Sequence, residues 1–263
     1  MLSDFDAIRN RHIIFILVLA SLILYAKSVS FTYTFTDDVR LVALNQGVLD
    51  DFRNFPRLFT TDAFMSVGST QLFYRPLMNV LFMLESQIAS GSTALHHGTN
   101  VLLHLACCIL LFRVLMQLGT VRTLAGLAAL LFCVHPLNTS AVVWIPGRND
   151  TLLTLWILGS FSVLLQAVTT KKLLSLIGHF VLFLGALLTK ESAVVFPVLT
   201  VSYLWLFHRG DVTRKLWLAG IAGYCLATMV WFGLRSLVPE TSAVHMKTDF
   251  ILVNAIRDLP AIL

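Results

Sequence analysis

The chain has 263 residues, of which 57% are hydrophobic and 13% charged, with a mean hydropathy of +0.81. A soluble domain carries roughly 25% charged residues, so a water-soluble globular fold is excluded and an integral membrane protein is implied. The net charge of +5 does not point to nucleic acid, because the basic residues stand in short loops between apolar runs and form no continuous patch.

In chain order, apolar runs recur at 13–29, 95–118, 121–135, 151–168, 173–188, 193–207 and 216–234. Most are close to the ~20 residues that cross a hydrocarbon core of roughly 30 Å. The expected fold is therefore all-α: a polytopic helical membrane protein of about seven transmembrane helices, forming one membrane domain over 1–263. Runs that continue along the whole chain are not one cleaved signal peptide. The final "DLPAIL" reads as part of another amphipathic or membrane-entering segment, whose last element is incomplete.

The stretch "YRPLMNVLFMLESQIASG" at 74–91 carries Glu85 in mid-run and decides the topology. If it lies along the surface, Arg9 and Arg11, Arg113 and Arg122, Lys171 and Lys172, and Arg209, Arg214 and Lys215 all share one side. That side is cytoplasmic by the positive-inside rule, and the N-terminus with it. We therefore expect an interfacial helix, with Arg75 and Glu85 near the polar boundary. Residues 30–94 become a long outer loop carrying one or two amphipathic interfacial helices.

Polar residues then converge on the outer side. Asp37 and Asp38 in "TFTDDVR" either start a helix or form a carboxylate pair suited to general-base work or a divalent cation. Arg75, placed before Pro76, offers a guanidinium fork for phosphate or an interfacial anchor. His97, Asn100 and His104 share a helical stripe that lacks a third metal ligand nearby in sequence, and it reads as a polar cavity wall. His135, Arg148, Asp150, Lys190 and Glu191 stand at span ends, where Arg148 with Asp150 or Lys190 with Glu191 could equally be structural ion pairs. Cys107, Cys108, Cys133 and Cys225 lie inside apolar runs without CxxC spacing, and read as small core residues.

The order of the acid pair, "YRPL", "HHGTNVLLH", "HPLNTSAVVWIPGRND" and "TKES" resembles the N-terminal membrane region of the TMTC family, the transmembrane and tetratricopeptide-repeat O-mannosyltransferases. More broadly it is similar to GT-C glycosyltransferases. The likeness covers most of 30–200, and no tetratricopeptide repeat is present in the chain. Asn138-Thr139-Ser140 stands where the family usually reads like His-Thr-Glu, which removes a carboxylate.

The resemblance implies a GT-C-like fold. It also implies transfer of a mannose-like sugar from a polyprenyl-phosphate donor to a hydroxyl of a protein or glycan acceptor, on the periplasmic or lumenal side. Asp37 is then the catalytic base with Asp38 as its partner; the pair is also where a divalent cation would sit. Arg75, Arg148 and Lys190 meet the donor phosphate, and His97, Asn100, His135, Asp150 and Glu191 line the cavity. Disulfide-poor, short loops favour a bacterial inner membrane over the endoplasmic reticulum. A transporter or flippase, which would carry midplane charges and repeated halves, and a non-catalytic scaffold are the alternative readings.

Overall fold

The computed structural model describes residues 10–34, 37–65, 73–210 and 213–238. Arg9 and the stretch beyond 238, including "DLPAIL", lie outside them. Every regular element among the described residues is helical, with no strand. Lipid leaves no other open arrangement, because a helix satisfies its backbone polar groups within its own segment.

Helix α1 (Asn10–Tyr25) is an unbroken apolar run without Gly or Pro. It tightens into a 3-10 turn, Ala26–Ser30, where the Ser28 hydroxyl donates to the Tyr25 carbonyl at 2.7 Å. The chain then forms two short helices, α2 (Asp37–Leu41) and α3 (Gln46–Leu49), and a 3-10 segment, Phe52–Phe59. Helix α4 (Pro76–Ile88) begins at its proline, and Arg75 before it is non-helical at φ −136° and ψ 56°, because a residue preceding proline is disfavoured in the helical region.

The outer loop departs from the expected pair of interfacial helices. Leu41, Leu49, Leu58, Met78, Phe82 and Ile145 share one buried apolar cluster, so the short helices wrap α4 as a compact layer. Asp50 ties the layer together by accepting from Ser86 at 2.9 Å and from Ser90 at 2.8 Å.

Helix α5 (Thr93–Gln117), capped by Ser92, is followed by α6 (Arg122–Val134) and, past a 3-10 turn at His135 and Pro136, by α7 (Thr139–Val143). The axis bends by 51° at that break. Helices α8 (Arg148–Thr170), α9 (Leu173–Leu187), α10 (Phe196–Phe207) and α11 (Arg214–Arg235) complete the described chain. Packing is sequential: α1 touches α5 and α6, α5 packs on α8, α8 on α9, and α9 on α11.

Among the described residues, four segments are long and apolar enough to cross a membrane, or five if the bent α6–α7 pair is one span. Helices α9 and α10, expected to cross, have 15 and 12 residues, or about 22 and 18 Å at 1.5 Å per residue. Both are short of a 30 Å core. Helix α4 has 13 residues and is not among the segments long and apolar enough to cross. Its contacts lead to one end of the bundle, with the Leu77 amide donating to the Leu188 carbonyl at 3.2 Å and Glu85 reaching Arg148 and His96. Helix α4 thus roofs the starts of α5 and α8 and the close of α9.

Candidate functional site

A cavity of about 870 Å³ is lined by Tyr33, Thr34, Asp38, His97, Ser140 and Trp144 among others. Its size suits a small-molecule ligand. The strand-like segment after α1 supplies one wall, the start of α5 supplies His97, and the α6–α7 bend supplies the rest.

Of the adjacent acids, Asp38 faces this space, and Asp37, the expected base, is not among its lining residues. In a one-turn helix consecutive side chains diverge by about 100°, so one of two neighbours faces inward. Asp38 is completely buried; its Oδ2 accepts from the Thr34 amide at 2.8 Å and its Oδ1 has no partner. One oxygen is thus held while the other carries no hydrogen bond. Above it, the Tyr33 phenol is pushed to a higher pKa by burial and further by the charge of Asp38, so it stays protonated.

His97 is buried against Phe31, edge to face at 6.1 Å. Neither ring nitrogen makes a hydrogen bond of normal geometry, although the Val143 backbone lies beside the ring. Buried polar atoms are rarely left unpaired, and this ring lines the cavity.

Arg148, expected at the donor phosphate, is elsewhere. Its side chain is wholly buried: Nη1 donates to Glu85 Oε2 at 2.7 Å, Nε to Asn100 Oδ1 at 3.0 Å and Nη2 to the His96 carbonyl at 3.0 Å. The guanidinium also stands 4.1 Å over the Phe82 ring, leaving no face for a phosphate. Asn100, expected on the cavity wall, instead clamps this arginine and donates to the Trp144 carbonyl at 3.0 Å.

Glu85 is correspondingly buried in the interior and not at the polar boundary. It accepts from His96 Nδ1 at 2.6 Å as well as from Arg148. Burial, the largest single influence, pushes its carboxyl up, but the bonds from His96 and Arg148 outweigh it and hold the pKa below the usual carboxylate range. The sequence alone does not mark this residue as a site member. The signal was a lone acid within "LFMLESQI", which burial makes costly unless a cation meets it.

The remaining charges pair across the bundle. Lys190 bonds Asp150, and Arg75 Nη2 lies 3.6 Å from Glu191 Oε2. Glu191 also accepts from the Tyr74 amide at 3.1 Å, and Arg75 stacks 4.4 Å over Phe73. None of these four lines the cavity, and neither does His135, whose Nδ1 accepts from the Leu137 amide at 3.2 Å as a cap. Among the described residues, Asp37 and Asp38 belong to no cluster of three metal-ligating groups.

The chain is similar to TMTC O-mannosyltransferases. It is 25% identical over 210 residues to a protein O-mannosyl-transferase of Caenorhabditis elegans, covering 78% of this chain and 29% of that protein. Against human protein O-mannosyl-transferase TMTC1 it is 32% identical over 146 residues, 54% of this chain and 16% of the relative. Against human protein O-mannosyl-transferase TMTC2 it is 29% identical over 207 residues, 74% of this chain and 24% of the relative. The chain thus spans less than a third of the length of these relatives. No family model matches it, and no solved structure does.

Proposed function

We propose that this chain is the membrane region of a glycosyltransferase with a GT-C-like architecture. It moves a mannose-like sugar from a polyprenyl-phosphate donor to an acceptor hydroxyl on the periplasmic or lumenal side. The relatives' printed activity supports the reaction class. The observation that carries the site is Asp38, buried in the cavity wall with one carboxylate oxygen bonded and the other free. The basic residues Arg113, Arg122, Lys171 and Lys172 flank the opposite helix ends, which supports a cytoplasmic N-terminus.

On this reading Asp38 takes the acceptor proton as the acceptor oxygen bonds to the anomeric carbon. The bond to the lipid phosphate breaks on the opposite face, and its electron pair leaves with the phosphate. Asp37, one residue away at the start of α2, supports that carboxylate from outside the cavity. With Arg148 fully engaged, Arg75 and Lys190, which stand outside the cavity lining, would have to leave their carboxylates to meet the phosphate. Each now shares a single carboxylate, and Arg75 Nε is unpartnered.

Purified protein in liposomes with radiolabelled polyprenyl-phosphate mannose and a Ser/Thr peptide tests this. Loss of a positioned general base costs about 10²–10⁴ in rate, so Asp38→Asn should fall by that factor and Asp37→Asn by less. Wild-type rates in Asp38→Asn would remove it as the base. No transfer from any polyprenyl donor by the wild type would remove the reaction itself.

A further inference from the structure

Away from the cavity, His104, Cys108 and Cys133 converge in the core between α1, α5 and α6, all three buried. His104 and Cys108 stand four residues apart on one face of α5, and Cys133 arrives from the last turn of α6. One ligating atom from each lies within 4.8 Å of the others. His104 Nε2 is 3.7 Å from Cys108 Sγ, close to the ~3.5 Å between ligands of a tetrahedral ion with bonds of about 2.0 to nitrogen and 2.3 Å to sulfur. The Tyr25 ring meets the imidazole edge-on at 5.4 Å and Phe132 stacks on it at 5.7 Å, which fixes its plane.

We propose that His104, Cys108 and Cys133 bind one thiophilic d¹⁰ cation, Zn²⁺ or Cu⁺. Two sulfurs and an imidazole select soft or borderline ions, whereas Mg²⁺ and Ca²⁺ require oxygen donors. Charge balance in an apolar core favours Zn²⁺: two thiolates neutralise it, whereas with Cu⁺ the same two thiolates leave one negative charge. Both thiol protons leave to solvent. His104 ligates through Nε2 with its proton on Nδ1, giving up the present 3.1 Å contact of Nε2 with the Cys133 carbonyl. The ion would clamp α5 to α6 two residues before His135, where the 51° bend begins and the chain turns to line the cavity with Pro136 and Leu137.

The full chain, purified after growth with added zinc or copper, is assayed for metal by mass spectrometry beside Cys133→Ser and Cys107→Ser. Cys107 is buried nearby but bonds the Thr151 carbonyl at 3.1 Å, outside the cluster. About one ion per chain is expected in wild type and Cys107→Ser, and at least tenfold less in Cys133→Ser; the metal retained distinguishes zinc from copper. Should Cys133→Ser not fold, wild type alone decides. Under partial denaturation, added ion should slow the reaction of the buried Cys108 and Cys133 with a membrane-permeant maleimide while exposed Cys225 reacts as before. A wild type that takes up neither ion, equal metal in Cys133→Ser, unshielded cysteines, or a Cys108–Cys133 disulfide in fresh protein each overturns the proposal.

Discussion

Glu85 and Arg148 meet at 2.7 Å with neither charge in contact with solvent. Removing one partner of a buried pair leaves the other uncompensated and costs about 3–5 kcal/mol, whereas replacing both with apolar groups is often neutral. Glu85→Met and Arg148→Met should each lower the unfolding temperature in detergent sharply. The double variant Glu85→Met with Arg148→Met should lose less than the sum, a coupling of about 1–3 kcal/mol. Strictly additive losses would mean the two charges do not support each other.

The same pair sets an acid limit. Glu85 lies on α4, outside the spanning helices, and its carboxyl is held below the usual range in the folded protein. A depressed folded pKa adds stability that is fully present above the unfolded value of about 4.3 and is lost as pH falls through the folded value. Unfolding temperature measured from pH 6 down to pH 3 should therefore drop below about pH 4.3 in wild type, and more gently in Glu85→Gln. Parallel curves would assign the acid loss to other carboxylates.

The expected run at 216–234 became Arg214–Arg235, and that at 173–188 became Leu173–Leu187. Such helices were legible because an apolar run bounded by charge has one way to satisfy its backbone in lipid. Pairing was not legible. Lys190 and Glu191 are neighbours in sequence, yet one bonds Asp150 and the other Arg75, because the direction of each side chain is set by packing. For the same reason nothing local distinguished Asp38 from Asp37. Arg148 was misjudged because its partner Glu85 stands 63 residues earlier on another helix, and the third member of the His104 and Cys108 cluster likewise comes from a separate helix.

Gly147, immediately before Arg148, is required by a close approach. A Cβ there would stand 2.3 Å from the Ser140 carbonyl oxygen and 2.9 Å from Ala141 Cα, both backbone atoms. Gly147→Ala must push α7 away from the start of α8, with an overpacking cost of about 1–3 kcal/mol. Gly98, inside α5, has open space at its Cβ, so Gly98→Ala should hold stability or raise it by up to ~1 kcal/mol. Equal unfolding temperatures for the two alanine variants would contradict the predicted contrast.

His97 should separate activity from stability. Its buried ring has no hydrogen bond of normal geometry within the protein, so the folded state gains little from its polar atoms and bears the cost of desolvating them. His97→Leu keeps much of the volume against Phe31 and removes that cost, so the unfolding temperature should stay level or rise. On the proposed reading the same change strips a hydrogen-bonding group from the wall shared with Asp38, and sugar transfer should fall about tenfold or more, as for a lost hydrogen bond of about 1.5 kcal/mol or more. Sites that trade stability for function behave in this way. A His97→Leu protein that transfers sugar at the wild-type rate, or that unfolds well below wild type, would show that the ring serves the fold and not the cavity.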